Sequence, residues 1–129
     1  MSQAGPLGIL GIEAIHYYVR NLDRSRQFYT ERLDFSEIGA GGEALAKAGR
    51  QRSLAFEAGG CRVICSSPAG EGGRADRYLK KHPDGIGSIV FAVGDIERTF
   101  SHVEARGGTP VDEVQVTECD TGRFRTFVI

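Results

Sequence analysis

The chain has no excess of charge of either sign. Sixteen Lys+Arg stand against seventeen Asp+Glu, a formal net charge of −1 over 129 residues. A protein that grips nucleic acid by its phosphates carries a clear basic excess, which excludes nucleic acid as the main partner. Long hydrophobic runs are missing as well. No stretch approaches the roughly 18 apolar residues of a membrane span, so no membrane partner is expected. The first ten residues lack the charged start and long apolar core of a secretory signal, which points to the cytoplasm. Cysteine is scarce and odd in number: Cys61, Cys65 and Cys119. With Cys61 and Cys65 on one strand, their separation spans about 13 Å, too far for a disulfide. The three read as buried free thiols of a reducing compartment, in preference to a redox or metal role.

What is present is ordinary for a globular chain, 40% hydrophobic and 26% charged. Glycine is the exception. Eighteen of 129 residues is about twice the usual share of roughly 7%, as expected of many tight turns between short strands. An internal repeat is the most informative feature. Residues 12–24 align without gaps over residues 86–98, at a constant offset of 74. Ile12 and Ile15 meet Ile86 and Ile89, Tyr17 meets Phe91, Val19 meets Val93, and Asn21-Leu22-Asp23-Arg24 meets Asp95-Ile96-Glu97-Arg98. Each copy opens on alternating residues of a strand. Each continues into a helix capped by Asn21 or Asp95, and Gly107-Gly108 supplies a left-handed stop for the second helix. In the first copy Leu22, Arg26, Tyr29 and Leu33 recur at helical spacing.

Strands are expected at 35–39, 53–57 and 62–65, the last two joined by a tight turn in Ala58-Gly59-Gly60-Cys61. A short helix is expected at 75–81, ended by Pro83. In the second copy strands are expected at 109–116 and 123–129, after which the sequence stops. The second copy then lacks its last strand and leaves an open sheet edge, which favours self-association. Residues 39–52 read as an irregular surface insertion. They lack the Gly-Lys-Ser/Thr with which a phosphate loop holds a nucleotide.

A repeated βαβββ unit whose helix ends in Phe28-Tyr29 resembles the vicinal oxygen chelate, or glyoxalase/bleomycin-resistance, superfamily. Within it the chain is similar to the N-terminal domain of the 4-hydroxyphenylpyruvate dioxygenase family and of its sister, 4-hydroxymandelate synthase. The stretches that carry this resemblance are Pro6-Leu7-Gly8-Ile9-Leu10-Gly11-Ile12-Glu13, Val63-Ile64-Cys65-Ser66-Ser67, and His82-Pro83-Asp84-Gly85-Ile86 running into Ile89–Asp95. The resemblance implies an α+β fold, one domain over 1–129 made of two repeats at about 8–66 and 82–129, with strands forming a curved mixed sheet.

Catalytic members place one metal ligand on the first strand of each unit and another on a late strand. The dioxygenases use two His and a carboxylate for Fe(II), leaving positions for a keto acid and oxygen. The first-strand positions here are Ala14 and Ser88, so the resemblance implies no catalytic residue and no metal in this chain. Fe(II) is then expected in a C-terminal catalytic domain of a parent enzyme, which would be this module's partner, and a homo-oligomer is expected. The remaining candidates are for a ligand cup: His16, Tyr18 and Ser88, among Ala14, Val90 and Ala92. The main alternative is a free-standing homodimer that binds a small aromatic or antibiotic molecule without catalysis. A metal-dependent isomerase fails on Ala14 and Ser88.

Other polar residues take plainer readings. His16 is a half-buried, hydrogen-bonded histidine in preference to a ligand or base, and His82 and His102 are surface residues. Asp112, Glu113, Glu118 and Asp120 are solvated acids. Arg74, Arg77, Lys80 and Lys81 form a solvated helix face in preference to an anion site or a domain contact. Tyr17, Phe28, Tyr29 and Phe91 are expected as core aromatics between sheet and helix.

Overall fold

The computed structural model describes residues 5, 7–111, 114–119 and 122–129. The chain divides into two compact units, Ile12–Val90 and Met1–Gly11 with Phe91–Ile129.

The larger unit is built on a five-stranded mixed sheet in the order β2-β3-β4-β1-β5. Its strands are β1 (Ile9–Tyr18), β2 (Ser36–Ala40), β3 (Gln51–Ala58), β4 (Cys61–Pro68) and β5 (Gly85–Val93). β1 runs parallel to β4 with Ile15 opposite Val63 and Tyr17 opposite Cys65. β3 and β4 form a hairpin in which Ala58 faces Cys61. Gly59 and Gly60 turn it at φ 53° and 83°, a pair of left-handed conformations that side chains resist.

Period-two alternation then sorts the strands into two faces. One face carries Leu54, Phe56, Val63 and Cys65, closed by Leu22 of α1 (Leu22–Gln27) and by Val19. Tyr17, Tyr29 and Phe35 pack against this core. The opposite face carries Tyr18 under α3 (Arg74–Lys81), in a smaller cluster with Ala75 and Leu79. Arg20, just beyond β1, secures the end of α3. Its guanidinium bonds Asp84 at 2.8 Å and the Leu79 carbonyl at 2.8 Å.

The smaller unit holds α4 (Ile96–Ala105) and a two-stranded antiparallel sheet of β6 (Gln115–Cys119) and β7 (Gly122–Thr126). Phe100 of α4 meets Phe127 edge to face at 5.1 Å. Thr99 is buried and donates to the Leu7 carbonyl. The N-caps of α1 and α4 share one geometry. Asn21 Oδ1 accepts from the Arg24 amide at 3.1 Å, and Asp95 Oδ1 accepts from the Arg98 amide at 3.2 Å. Replacing Asn21 by Ala is expected to lower stability by about 1 kcal/mol. Urea unfolding checks this, and a change below about 0.3 kcal/mol would remove the cap from the account of helix entry.

Several expectations need correction. Residues 39–52 are not an irregular insertion, because Glu43–Gly49 form a helix, α2. Its Glu-Ala-Leu-Ala-Lys-Ala core consists of strong helix formers. Arg50, at φ 53°, takes the left-handed cap position usually left to glycine. The first helix does not run to Leu33. It changes at Phe28–Arg32 into a π-helical turn, leaving Leu33 exposed.

Phe28 and Phe91 are 45% and 51% exposed, so they are not core, unlike Tyr17 and Tyr29. Cys61 is exposed and Cys65 is buried. The two share a face of β4, but Cys61 sits at the hairpin turn, beyond the edge of the core. Of the strand expected at 109–116, residues 109–111 lie outside any strand and β6 starts at Gln115, while 112 and 113 fall outside the described residues. Cys119, Asp112, Glu113, Glu118 and Asp120 lie outside the residues whose side chains are described.

Candidate functional site

The polar groups of the larger unit converge on the α3 face of its sheet. β1 presents His16 there, between Ala14 and Tyr18, which are 3% and 5% exposed. Hairpin register sets Ser53 of β3 directly opposite Ser66 of β4. A cross-strand pair shares a face, so both hydroxyls point to the side of His16. The Ser53 and Ser66 hydroxyl oxygens lie 2.6 Å apart, and Ser66 Oγ lies 2.6 Å from His16 Nε2. Gln51 Nε2 donates to the same Ser66 oxygen at 3.4 Å. A row of four polar side chains thus crosses three strands, with the fully buried Ser66 at its centre.

Two features give this row its character. Burial first, and then the Arg74 guanidinium, hold the His16 imidazole below its usual range. His16 is therefore neutral at pH 7. In the tautomer whose Nε2 accepts from Ser66, its Nδ1 carries the proton. The second feature is Gln51 Oε1, a buried oxygen with no hydrogen-bond partner among the described residues. An acceptor left in that state costs about 1–3 kcal/mol, which a bound water or a donor on a ligand would recover.

The pH consequence has a definite sign. An unfolded histidine titrates near 6.5, and folded His16 titrates lower. The unfolded chain therefore binds more protons below pH 6.5. The contribution of neutral His16 is complete above that pH and is lost as pH falls towards its folded value. Melting temperature is expected to drop between pH 7 and 5 in the parent protein and to drop less in His16→Gln. Equal slopes in the two proteins would contradict the placement of His16.

The other candidates sit as follows. Tyr18 is enclosed, with its ring centroid 4.9 Å from His16 and 5.3 Å from Tyr78. Ser88 is half-buried on β5. His82 is exposed, and its ring lies tilted at 37° to that of Tyr78 with centroids 4.7 Å apart. Arg74, Arg77, Lys80 and Lys81 are all exposed, and Lys80 pairs with Asp76 at 3.1 Å. Reading the sequence for single chemistry-bearing residues missed Ser53, Ser66 and Gln51. The Gly59-Gly60 turn was the available signal, because it fixes the register that pairs the two serines.

Ala14 and His16 share the α3 face of β1, and Nε2 of His16 is engaged by Ser66. Among the described residues no three His, Cys, Asp or Glu side chains converge. Ser66 is too deeply buried to act as a nucleophile on an external substrate. The row is a hydrogen-bonding floor that fixes one imidazole.

The sequence profile of the Glyoxalase/Bleomycin resistance protein/Dioxygenase superfamily matches residues 11–127. The chain belongs to this superfamily. It is 26% identical over 133 residues to a 4-hydroxyphenylpyruvate dioxygenase of Coccidioides posadasii, covering 92% of this chain and 33% of that protein. It is 30% identical over 124 residues to the enzyme of the same name from Yarrowia lipolytica, covering 92% of this chain and 31% of that protein. The chain thus spans about a third of the length of the curated relatives it matches.

Among solved structures, a mutant of 4-hydroxymandelate synthase from Streptomyces coelicolor superposes with a TM-score of 0.80 at 17% identity. That match covers 89% of this chain and 33% of the synthase. Methylmalonyl-CoA epimerase from Mycobacterium tuberculosis gives 0.79 at 15% identity, covering 98% and 83%. At these identities the superpositions establish the superfamily's fold, an α+β architecture on a mixed sheet. No helix among the described residues is long and apolar enough to cross a membrane.

Proposed function

We propose that this chain is the metal-free N-terminal module of an Fe(II)-dependent α-keto acid dioxygenase resembling 4-hydroxyphenylpyruvate dioxygenase. The parent enzyme would turn 4-hydroxyphenylpyruvate into homogentisate in tyrosine breakdown. Its iron would sit in a C-terminal domain, and this module, a single domain of two repeats, would support the fold and a subunit interface in the cytoplasm. The observation that carries the reading is the match itself, nearly all of this chain against a third of each dioxygenase. Ala14 and Ser88 at the first-strand positions support a module without iron. No catalytic step is assigned to its residues.

Adding Fe(II) anaerobically is expected to leave the melting temperature of the chain unchanged. A ligand bound only to the folded state, at a hundred times its Kd, stabilises by about 2.7 kcal/mol. A saturable shift of that order with Fe(II) would overturn the metal-free assignment. Homo-oligomerisation is checked by sedimentation at rising concentration, and a strictly monomeric profile would contradict it.

One observation favours a second reading. The row below His16, with a Gln51 Oε1 that has no partner among the described residues, is a polar floor of the kind that orients a small ligand. In that reading His16, Tyr18 and Ser88 line a cup that takes a small aromatic or antibiotic molecule without metal. Saturable ligand shifts at these three residues would favour the binding protein over the dioxygenase module.

A further inference from the structure

The larger unit has a concave feature on the other face of its sheet, beneath α1. A cavity of about 200 Å³ lies there. Its walls include Tyr17 and Val19 of the β1 segment, Ser25 of α1, Phe28 and Tyr29 of the π-helical turn, and Cys65 of β4. None of His16, Tyr18 and Ser88 lines it. The cavity opens to solvent on one side, past Asn21, Arg24 and Asp84. Its volume is of the order that holds a six-membered ring, since an enclosed apolar cavity of about 150 Å³ takes benzene.

Two independent observations suggest a site in preference to a packing defect. The first is the π-helical turn at Phe28–Arg32. Such turns are rare, occur mostly as single turns within α-helices, and are frequent at functional sites. Here the turn is the segment that brings Phe28 and Tyr29 to the cavity wall. Their rings meet edge to face at 5.3 Å and 81°. Tyr29 is fixed from behind by stacking on the fully buried Phe56 at 5.2 Å.

The second observation is the chemistry of the lining. Burial pushes the Cys65 thiol up to about 11 and raises the Tyr29 hydroxyl well above the usual phenol range. Both stay protonated at neutral pH. At the rim Arg24 and Asp84 carry opposite charges, and Asp84 is already held by Arg20 at 2.8 Å. The walls therefore offer aromatic faces and neutral hydroxyls, with no net charge to attract an ion.

We propose that this cavity binds a small neutral monocyclic aromatic of the phenol class. Its ring packs between Phe28, Tyr29 and Val19, and its hydroxyl bonds to the Ser25 or Tyr17 hydroxyl. The site is distinct from the α3 face and does not depend on the dioxygenase reading.

Phenol titrated into the labelled chain and followed by amide NMR tests this. Saturable shifts are expected at residues 25–29 and at Cys65. Benzoate, the same ring with a charge, is expected to bind about tenfold or more weaker. Ser25→Phe, which fills the mouth from the helix side, is expected to abolish the phenol shifts while the spectrum stays dispersed. Ser25→Leu gives the same readout should the larger side chain disturb folding. The proposal is overturned by any of three results: no saturable shift with phenol, shifts centred on His16 and Ser88, or benzoate binding as tightly as phenol.

Discussion

Phe56→Ala is expected to destabilise the chain by about 3–5 kcal/mol, the range for emptying a core aromatic position. Phe56 is fully buried, and it joins the sheet to the helix layer. Its ring stacks on Tyr29 and its strand neighbours Leu54 and Val63 share the same core. A chain of this size has a total stability of about 5–15 kcal/mol, so the variant sits close to the folding threshold. Urea unfolding reads the change as a lower midpoint with an unchanged slope. A loss below about 1 kcal/mol would mean that Phe56 does not anchor the core. The same variant is expected to weaken phenol binding, because Tyr29 loses the surface that holds it at the cavity.

Gly87→Ala is expected to cost about 1–3 kcal/mol, as overpacking does. Gly87 has ordinary backbone angles, so conformation is not the reason. The ring of Tyr18 lies directly over its Cα, and an added Cβ would fall inside the ring's contact distance. An aromatic covering a glycine on a neighbouring strand is a recognised way to pin strands together. Tyr18 cannot yield cheaply, since Ala75, Leu79 and Tyr78 enclose it. Tyr18→Leu in the Gly87→Ala background is expected to restore part of the loss, which a double-mutant cycle would read as coupling between the two sites. Additive effects would show that the ring does not rest on Gly87.

These two positions also separate what the sequence discloses from what it hides. Local chemistry was legible. Asn21 and Asp95 announced two helix starts because a side-chain oxygen before an apolar period satisfies amides in the first turn. Gly59-Gly60 announced the hairpin because two consecutive left-handed conformations suit glycine. The opening strands were visible as alternation, and the offset of 74 aligned them.

Features that depend on distant partners were not legible. The helical period that includes Tyr29 gives no sign of the π-helical turn, and nothing local separates Tyr29 from Phe28, which was expected in the core beside it. Only the stack on Phe56 decides that Tyr29 turns inward and Phe28 outward. The glycines at 41 and 42 hid α2 by suggesting a loop on its N-terminal side. The polar row needed two registers at once, Ser53 opposite Ser66 in the hairpin and His16 opposite Ile64 in the parallel pair. The first follows from the turn, whereas the second links residues nearly fifty positions apart and has no local signature. The cavity beneath α1 is hidden for the same reason, since its walls come from separated segments of the chain.

The most direct test of the proposed function is the sequence of the source gene beyond the codon for Ile129. About two-thirds of the Coccidioides relative lies outside the match. A continuation of comparable length is expected, with another pair of βαβββ units bearing two His and a carboxylate for Fe(II). A stop codon within about 20 codons, too short for a further domain, would contradict the dioxygenase reading and leave ligand binding as the chain's function.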